Sequence, residues 1–174
     1  MTAAPPSAGE TRLRRVGILV AVSPEGVIGQ DGKIPWRHPG DQRRFKRLTL
    51  GTTVVMGRAT WLSLPKRPLP DRRNVVLTSN PIEGVLCFPD LPSALASCSG
   101  DVWIIGGARA YAEAMDIADI IDVTYVPDSV QGPGTVTFPP IDPRRFEAGE
   151  LLAHEDEDGL ARRVFTRRSE SQAG

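Results

Sequence analysis

The chain has 174 residues, 40% of them hydrophobic and 24% charged, which suits one soluble domain with a substantial core. Its 21 basic residues balance 21 acidic ones, so bulk charge gives no reason to expect nucleic acid or a membrane surface as partner. The two cysteines, Cys87 and Cys98, form no CxxC and have no histidine at metal spacing, so neither a disulfide framework nor a zinc site is suggested.

Residues 1–13 hold Ala, Pro, Ser and Gly but no apolar run of signal-peptide length. They are expected to be a disordered extension of a cytoplasmic protein whose single domain covers 14–170. No stretch approaches the ~18 apolar residues of a membrane span. Val16–Val22 is a continuous apolar run of strand length, expected to be buried on both faces and closed by the turn chemistry of Ser23-Pro24-Glu25-Gly26. A Gly-punctuated loop, Gly29–Trp36, leads to a helix over Pro39–Thr49. Proline suits the first helical position because its missing N–H would be unpaired there, and His38 falls at the N-cap. On a 3.6-residue period Asp41, Phe45 and Leu48 share a face, while Arg43, Lys46 and Arg47 point elsewhere.

Thr53–Met56 reads as a second strand, and Gly57 opens a short helix reaching Leu64. An Arg/Pro-rich connection precedes a third strand at Asn74–Thr78. Gly84–Phe88 is a short strand, and Leu91–Ser97 a helix with Asp90 as its N-cap. Val102–Ile105 enters Gly106-Gly107 and a helix over Arg109–Met115, followed by a strand at Ile120–Val126. Phe146–His154 and Leu160–Arg168 form an antiparallel pair around the Asp156-Glu157-Asp158-Gly159 turn. Alternating strands and helices predict an α/β fold: a mostly parallel central sheet flanked by helices, closed by a C-terminal antiparallel hairpin.

Three features carry chemistry. An acid in a first helical turn, such as Asp41, can simply complement the helix dipole, worth ~0.3–1 kcal/mol. At the head of an apolar stripe, however, an ionised carboxylate needs a cationic or hydrogen-bonding partner. The junctions Met56-Gly57-Arg58-Ala59-Thr60 and Ile105-Gly106-Gly107-Ala108-Arg109 both place glycine just before a helix, where backbone can approach an anion. Such a glycine is often only a turn; two on one predicted sheet favour a dinucleotide. Neither is a GxGxxG or P-loop motif.

The order Gly29, Ile34-Pro35-Trp36, Asp41, Phe45-Lys46, Val54–Trp61, Arg67–Ser79 and Ile104–Tyr111 closely resembles the dihydrofolate reductases of the bacterial chromosomal type, from about Val16 to the C-terminal strands. The resemblance implies NADPH-dependent reduction of 7,8-dihydrofolate to tetrahydrofolate in one-carbon metabolism, in a monomer that also binds antifolates. It implies that Gly106, Gly107, Ala108, Arg109 and Ala110, with Gly57, Arg58, Ala59 and Thr60, wrap the cofactor pyrophosphate. Ala21, Ile28, Gly29, Ile34 and Tyr111 would lie at the nicotinamide end, and Leu77, Thr78 and Ser79 at the adenosine end. Asp41 would bind the pterin, with Thr124 hydrogen-bonded to its carboxylate and Trp36 holding a water beside it. Leu19, Phe45, Leu64, Leu69 and Ile105 would form apolar walls around the folate. Arg72 would fork the glutamate tail, with Gln42 and Arg67 at its outer part.

Ile34 holds a loop position often occupied by methionine or leucine. Some bacterial members carry an acid in the loop facing Gly29–Trp36, whereas this chain has Gln131-Gly132-Pro133-Gly134-Thr135. Closure of the Gly29–Trp36 loop is therefore expected to rest on ligand contacts and on Ile34 packing, with weak support from the opposing loop. Two other readings stay open: a riboflavin-pathway pyrimidine reductase on the same fold, and a non-catalytic nucleotide-binding module.

Overall fold

The structure is a computed structural model describing residues 15–169, so the segment 1–13 lies outside the described residues. The apolar run Val16–Val22 becomes β1, the middle strand of a twisted sheet. It pairs in parallel with β6 (Val102–Gly106) on one side and β7 (Ile120–Tyr125) on the other, which is why it carries little polar character on either face. Beyond β6 follow β3 (Thr53–Gly57), β4 (Arg73–Leu77) and β5 (Leu86–Phe88), all parallel. Beyond β7 lies β11 (Ala161–Arg167), antiparallel.

Period-two alternation sorts the strand residues onto two faces. Ile18, Val20, Val55, Val75, Ile104, Ile121 and Val123 join the core under α3 (Leu91–Ala96) and α4 (Ala108–Ala114). Val54, Met56, Val76 and Trp61 of α2 (Arg58–Ser63) form a smaller cluster on the opposite face. That second face also carries Thr124 and Asp122, and α1 (Pro39–Thr49) lies over it.

Several elements differ from the sequence expectation. Val27–Gln30 is not loop but a short strand, β2, which pairs antiparallel with β8 (Thr135–Thr137) in a separate ribbon. The C-terminal pair is interrupted: β9 (Phe146–Ala148) and β10 (Leu152–Ala153) each pair with β11. His38 takes the N-cap position of α1 but makes no side-chain cap there. The cap is supplied from afar, since the Gly40 N–H donates to Glu157 Oε1 at 2.7 Å. Asp90 does cap α3, accepting from the Ser93 N–H at 2.8 Å. No helix among the described residues is long and apolar enough to cross a membrane.

Candidate active site

The inner face of α1 differs from the periodic expectation in an informative way. Phe45 and Leu48 are only partly buried, as is Asp41, so this stripe borders a cleft. The buried line runs through Gly40 and Arg44 instead, with Arg44 only 2% exposed. Gly40 is required there by close approach: a Cβ at this position would collide with the Asp156 carbonyl and lie 2.6 Å from Glu157 Cβ. The turn between β10 and β11 is thereby pressed onto the start of α1.

Asp41 is held by two elements. Thr124 Oγ1, on β7, donates to Asp41 Oδ1 at 2.9 Å. His154, just after β10 and with a side chain 0% exposed, places Nε2 at 3.0 Å from the same oxygen. Oδ2 makes no hydrogen bond to any described residue. One helical turn further, Arg44 reaches both Asp122 oxygens and Glu155 Oε1, the latter at 2.7 Å. Arg47 adds contacts to Asp156 at 2.7 Å and Glu155 at 3.1 Å. Where α1 begins, His38 sits between Asp128 and Glu157, one carboxylate on each ring nitrogen. Burial alone would push its pKa down, but hydrogen bonds and charge from the two carboxylates hold it above the usual histidine value.

The two glycine junctions lie against each other. Gly106, at φ +142°, takes a backbone conformation that suits glycine, and a Cβ there would lie 3.0 Å from Thr60 Oγ1. Gly107 faces the same hydroxyl, and Gly57 faces the Gly107 nitrogen. The Gly106–Gly107 peptide is cis. Ala59, Thr60, Gly107 and Ala108 surround this meeting point, with the exposed Arg58 and Arg109 on the helices that leave it. Ala110 is in the core instead, its side chain packed among the residues under α4. Tyr111 is also buried; its hydroxyl donates to the Leu19 carbonyl at 2.9 Å and its ring meets Phe138 edge-on. Burial raises the Tyr111 pKa well above that of a free phenol. Leu19 is buried, Ala21, Ile28 and Gly29 are partly covered beside it, and Ile34 is 66% exposed. At the far edge Leu77 and Thr78 are partly covered and Ser79 is exposed.

On the other side of the cleft, Leu64, Leu69 and Ile105 back onto the smaller core cluster while keeping part of their surface open. Buried Asn74 pins their neighbours: it accepts from the Leu69 N–H and donates to the Leu69 and Arg72 carbonyls. The Arg72 guanidinium donates to the Pro70 carbonyl at 2.8 Å and Thr49 Oγ1 at 3.1 Å, which fixes its plane. Arg67 lies 6.0 Å over the Trp61 ring, Gln42 is exposed, and Trp36 is partly buried ahead of α1.

Sequence reasoning missed His38, Arg44, Asp122 and His154. One signal was available: the chain has two histidines, and both stand at the start of α1 in space. A further surprise concerns the loops. The opposing segment does hold the Gly29–Trp36 loop, through main-chain acceptors rather than an acid. Asp31 N–H donates to the Gly134 carbonyl at 3.1 Å, and the Gln30 side chain to the Gln131 and Pro133 carbonyls at 3.3 Å.

The family model described as dihydrofolate reductase matches residues 15–168. The chain is 47% identical over 116 residues to dihydrofolate reductase of Mycobacterium tuberculosis, covering 64% of this chain and 71% of the relative. It is 40% identical over 153 residues to that of Mycobacterium leprae, covering 84% and 79%. Among solved structures it resembles Enterococcus faecalis dihydrofolate reductase complexed with NADP(H) and RAB-propyl. The TM-score is 0.78 at 32% identity, over 89% of this chain and 97% of that one.

Proposed function

The chain belongs to the dihydrofolate reductase family, and from that membership we propose how its residues divide the work of the reaction. The enzyme reduces 7,8-dihydrofolate to 5,6,7,8-tetrahydrofolate with NADPH. The observation that best supports the residue assignment is Asp41: a carboxylate at the cleft edge of α1, with Oδ1 bonded and Oδ2 unspent.

The residues fit the cofactor. Gly106 leaves the space beside Thr60 that a side chain would fill, and the abutting Gly57 and Gly107 let backbone approach a pyrophosphate. Gly106, Gly107, Ala108 and Thr60 would hold it, with Arg58, Arg109 and Ser79 toward the 2′-phosphate and adenosine, and Ala21, Ile28 and Gly29 at the nicotinamide end. The chemistry NADPH supplies when bound is a hydride for C6 of the pterin.

Asp41 binds the pterin 2-amino group and N3, and its negative charge favours the substrate form protonated at N5, the better electrophile. Asp41 does not reach N5 itself; a water held near Trp36 carries that proton. Phe45, Leu64, Leu69 and Ile105 cover the p-aminobenzoyl group, and Arg72 meets the α-carboxylate of the tail. The Tyr111 hydroxyl is committed to the Leu19 carbonyl, so it orders the floor of the nicotinamide pocket. Antifolates that mimic the pterin occupy the same cleft. The enzyme works as a cytoplasmic monomer, the state expected of the family.

A pyrimidine reductase of the riboflavin pathway would take a ribose phosphate and no glutamate tail; Asp41 together with an anchored Arg72 disfavours it. The test is NADPH oxidation by purified protein with dihydrofolate. Turnover that a pterin-mimicking antifolate abolishes supports the assignment, and absence of turnover overturns it.

A further inference from the structure

We infer that His154 is a positioning residue for Asp41: a neutral imidazole that donates to Oδ1 and turns Oδ2 toward the substrate. This rests on the reading of Asp41 as the charge partner of the pterin. A backbone N–H can only donate, and the Asp156 N–H meets His154 Nδ1 at 3.0 Å. Nδ1 is therefore the acceptor, and the single ring proton sits on Nε2, 3.0 Å from Asp41 Oδ1. Protonating Nδ1 would set two donors against each other in a side chain that is 0% exposed. These two contacts thus assign the tautomer with its proton on Nε2.

Neutrality matters for what faces Asp41. An imidazolium in contact with the carboxylate would cancel the charge that a protonated pterin needs. A neutral donor orients the carboxylate and leaves its charge available. Thr124 alone, one hydroxyl from β7, would let the carboxylate swing about that contact. A second donor from a different element removes this freedom. The element that carries His154 is itself clamped to α1, through Glu157 on the Gly40 N–H and Asp156 on Arg47.

The charged groups facing this pair are Arg44 on α1, Asp122 on β7, Glu155 and Arg162 of the terminal hairpin, and His38, Asp156 and Glu157 where α1 begins. Of these only His38 has an ordinary pKa near neutrality. Each pH profile below is therefore repeated on a His38→Gln background.

Wild-type protein with ¹⁵N-labelled histidine reports the tautomer directly: His154 should be neutral with its proton on Nε2 at pH 7. A proton on Nδ1 would overturn the proposal without any variant. Single-turnover hydride transfer is then followed from about pH 5 to 9 for His154→Phe, which keeps the ring and loses the donor, and His154→Gln, which restores one. In His154→Phe the rate at pH 7 should fall about tenfold, the scale of one hydrogen bond to a charged group. Its pH midpoint should move, because the carboxylate that faces the pterin loses a donor, and dihydrofolate should bind more weakly with NADPH affinity unchanged. His154→Gln should recover most of both. An unmoved midpoint with equal losses for both ligands, or a glutamine variant no better than phenylalanine, would mean a purely structural role. If Asp41→Asn leaves hydride transfer unchanged, the Asp41 reading itself fails; a large loss there beside a wild-type-like His154→Phe overturns only the role of His154.

Discussion

Arg44 and Asp122 meet as a two-pronged pair inside the protein, Nη1 to Oδ1 at 3.0 Å and Nη2 to Oδ2 at 2.7 Å. The two side chains are 2% and 6% exposed. Burial alone would push the guanidinium pKa down, and the Asp122 and Glu155 carboxylates hold it up. The pair joins the same two elements, α1 and β7, that bring Asp41 and Thr124 together, so the Asp41 carboxylate stands on a second rung of charge.

Breaking one side of such a pair leaves an uncompensated buried charge. Arg44→Met is expected to cost about 3–5 kcal/mol of stability, and the double change Arg44→Met with Asp122→Leu to recover most of it. In the double variant Arg162 keeps its neighbour Glu155. Urea unfolding of the three proteins checks this; a loss in Arg44→Met below about 1 kcal/mol would show that Arg162, 3.7 Å from Asp122, takes over as its partner.

How much of this was legible follows from the range of the forces. The bounds of α1 could be read directly, because Pro39 and the apolar spacing act within a few residues. β1 could be read because a strand covered on both faces needs an uninterrupted apolar run. The buried face of α1 could not: Arg44 is stable inside only because Asp122 and Glu155 arrive from β7 and the terminal hairpin. The β2–β8 ribbon was hidden for a similar reason, since its strands of four and three residues are defined mainly by each other. Most of the residues assigned to the cleft were found through the order of motifs, whereas His38 and His154 carry no motif.

Arg72 should tell folates with a tail from those without. Its guanidinium plane is set by Pro70 and Thr49. Arg72→Lys keeps the charge and loses the planar fork, so ligands carrying the glutamate should weaken by about 2 kcal/mol, roughly 30-fold. A diaminopyrimidine antifolate without a carboxylate should bind almost as before. Equal losses in titrations of both ligand types would place Arg72 in stability rather than recognition.

Cofactor choice should depend on Arg58, which is exposed at the start of α2 and free to meet a 2′-phosphate beside Ser79. Removing one charge-assisted contact in Arg58→Ala should lower the NADPH to NADH ratio of kcat/KM by about tenfold. An unaltered ratio would put the phosphate elsewhere.

His38 should make stability depend on pH. Its folded pKa is raised above 6.5, so the stabilisation is fully present below that value and is lost as pH rises through the folded pKa. Glu157 works in the opposite range: the Gly40 N–H lowers its pKa despite some burial, with His38 helping, so its contribution holds above 4.5 and fades on acidification. Urea midpoints measured between about pH 6 and 9 should fall in the wild type relative to His38→Gln. Parallel curves for the two proteins would rule out a charged His38.

The turn that leads into β2, ahead of the Gly29–Trp36 loop, is tied by an acid to the segment that precedes β8. Glu25, in the turn between β1 and β2, accepts from the Ser129 hydroxyl and, at 2.9 Å, from the Val130 N–H. These two bonds lower its pKa to about 2 against a small opposing effect of burial. The contact is therefore complete above pH 4.5 and lost only as pH falls through about 2. Asp128, in the same segment, is engaged with His38. With Ile34 66% exposed, loop support in the structure comes from the carbonyls of Gln131, Pro133 and Gly134 rather than from apolar packing, and Glu25 braces the turn before it. Glu25→Gln can keep an oxygen on the Val130 N–H and turn its NH2 to the Ser129 hydroxyl, but it exchanges two charge-assisted contacts for neutral ones, so it should loosen this junction. Steady-state turnover and product release should then change by more than the single-turnover hydride step, because loop motion gates release while the pterin contacts stay in place. Pro133→Asp, which adds a second carboxylate without removing the Pro133 carbonyl, should tighten the same junction and slow release. Stopped-flow release rates for the two variants decide the matter: opposite signs are expected, and unaltered rates in Glu25→Gln would show that the main-chain bonds alone hold the loop.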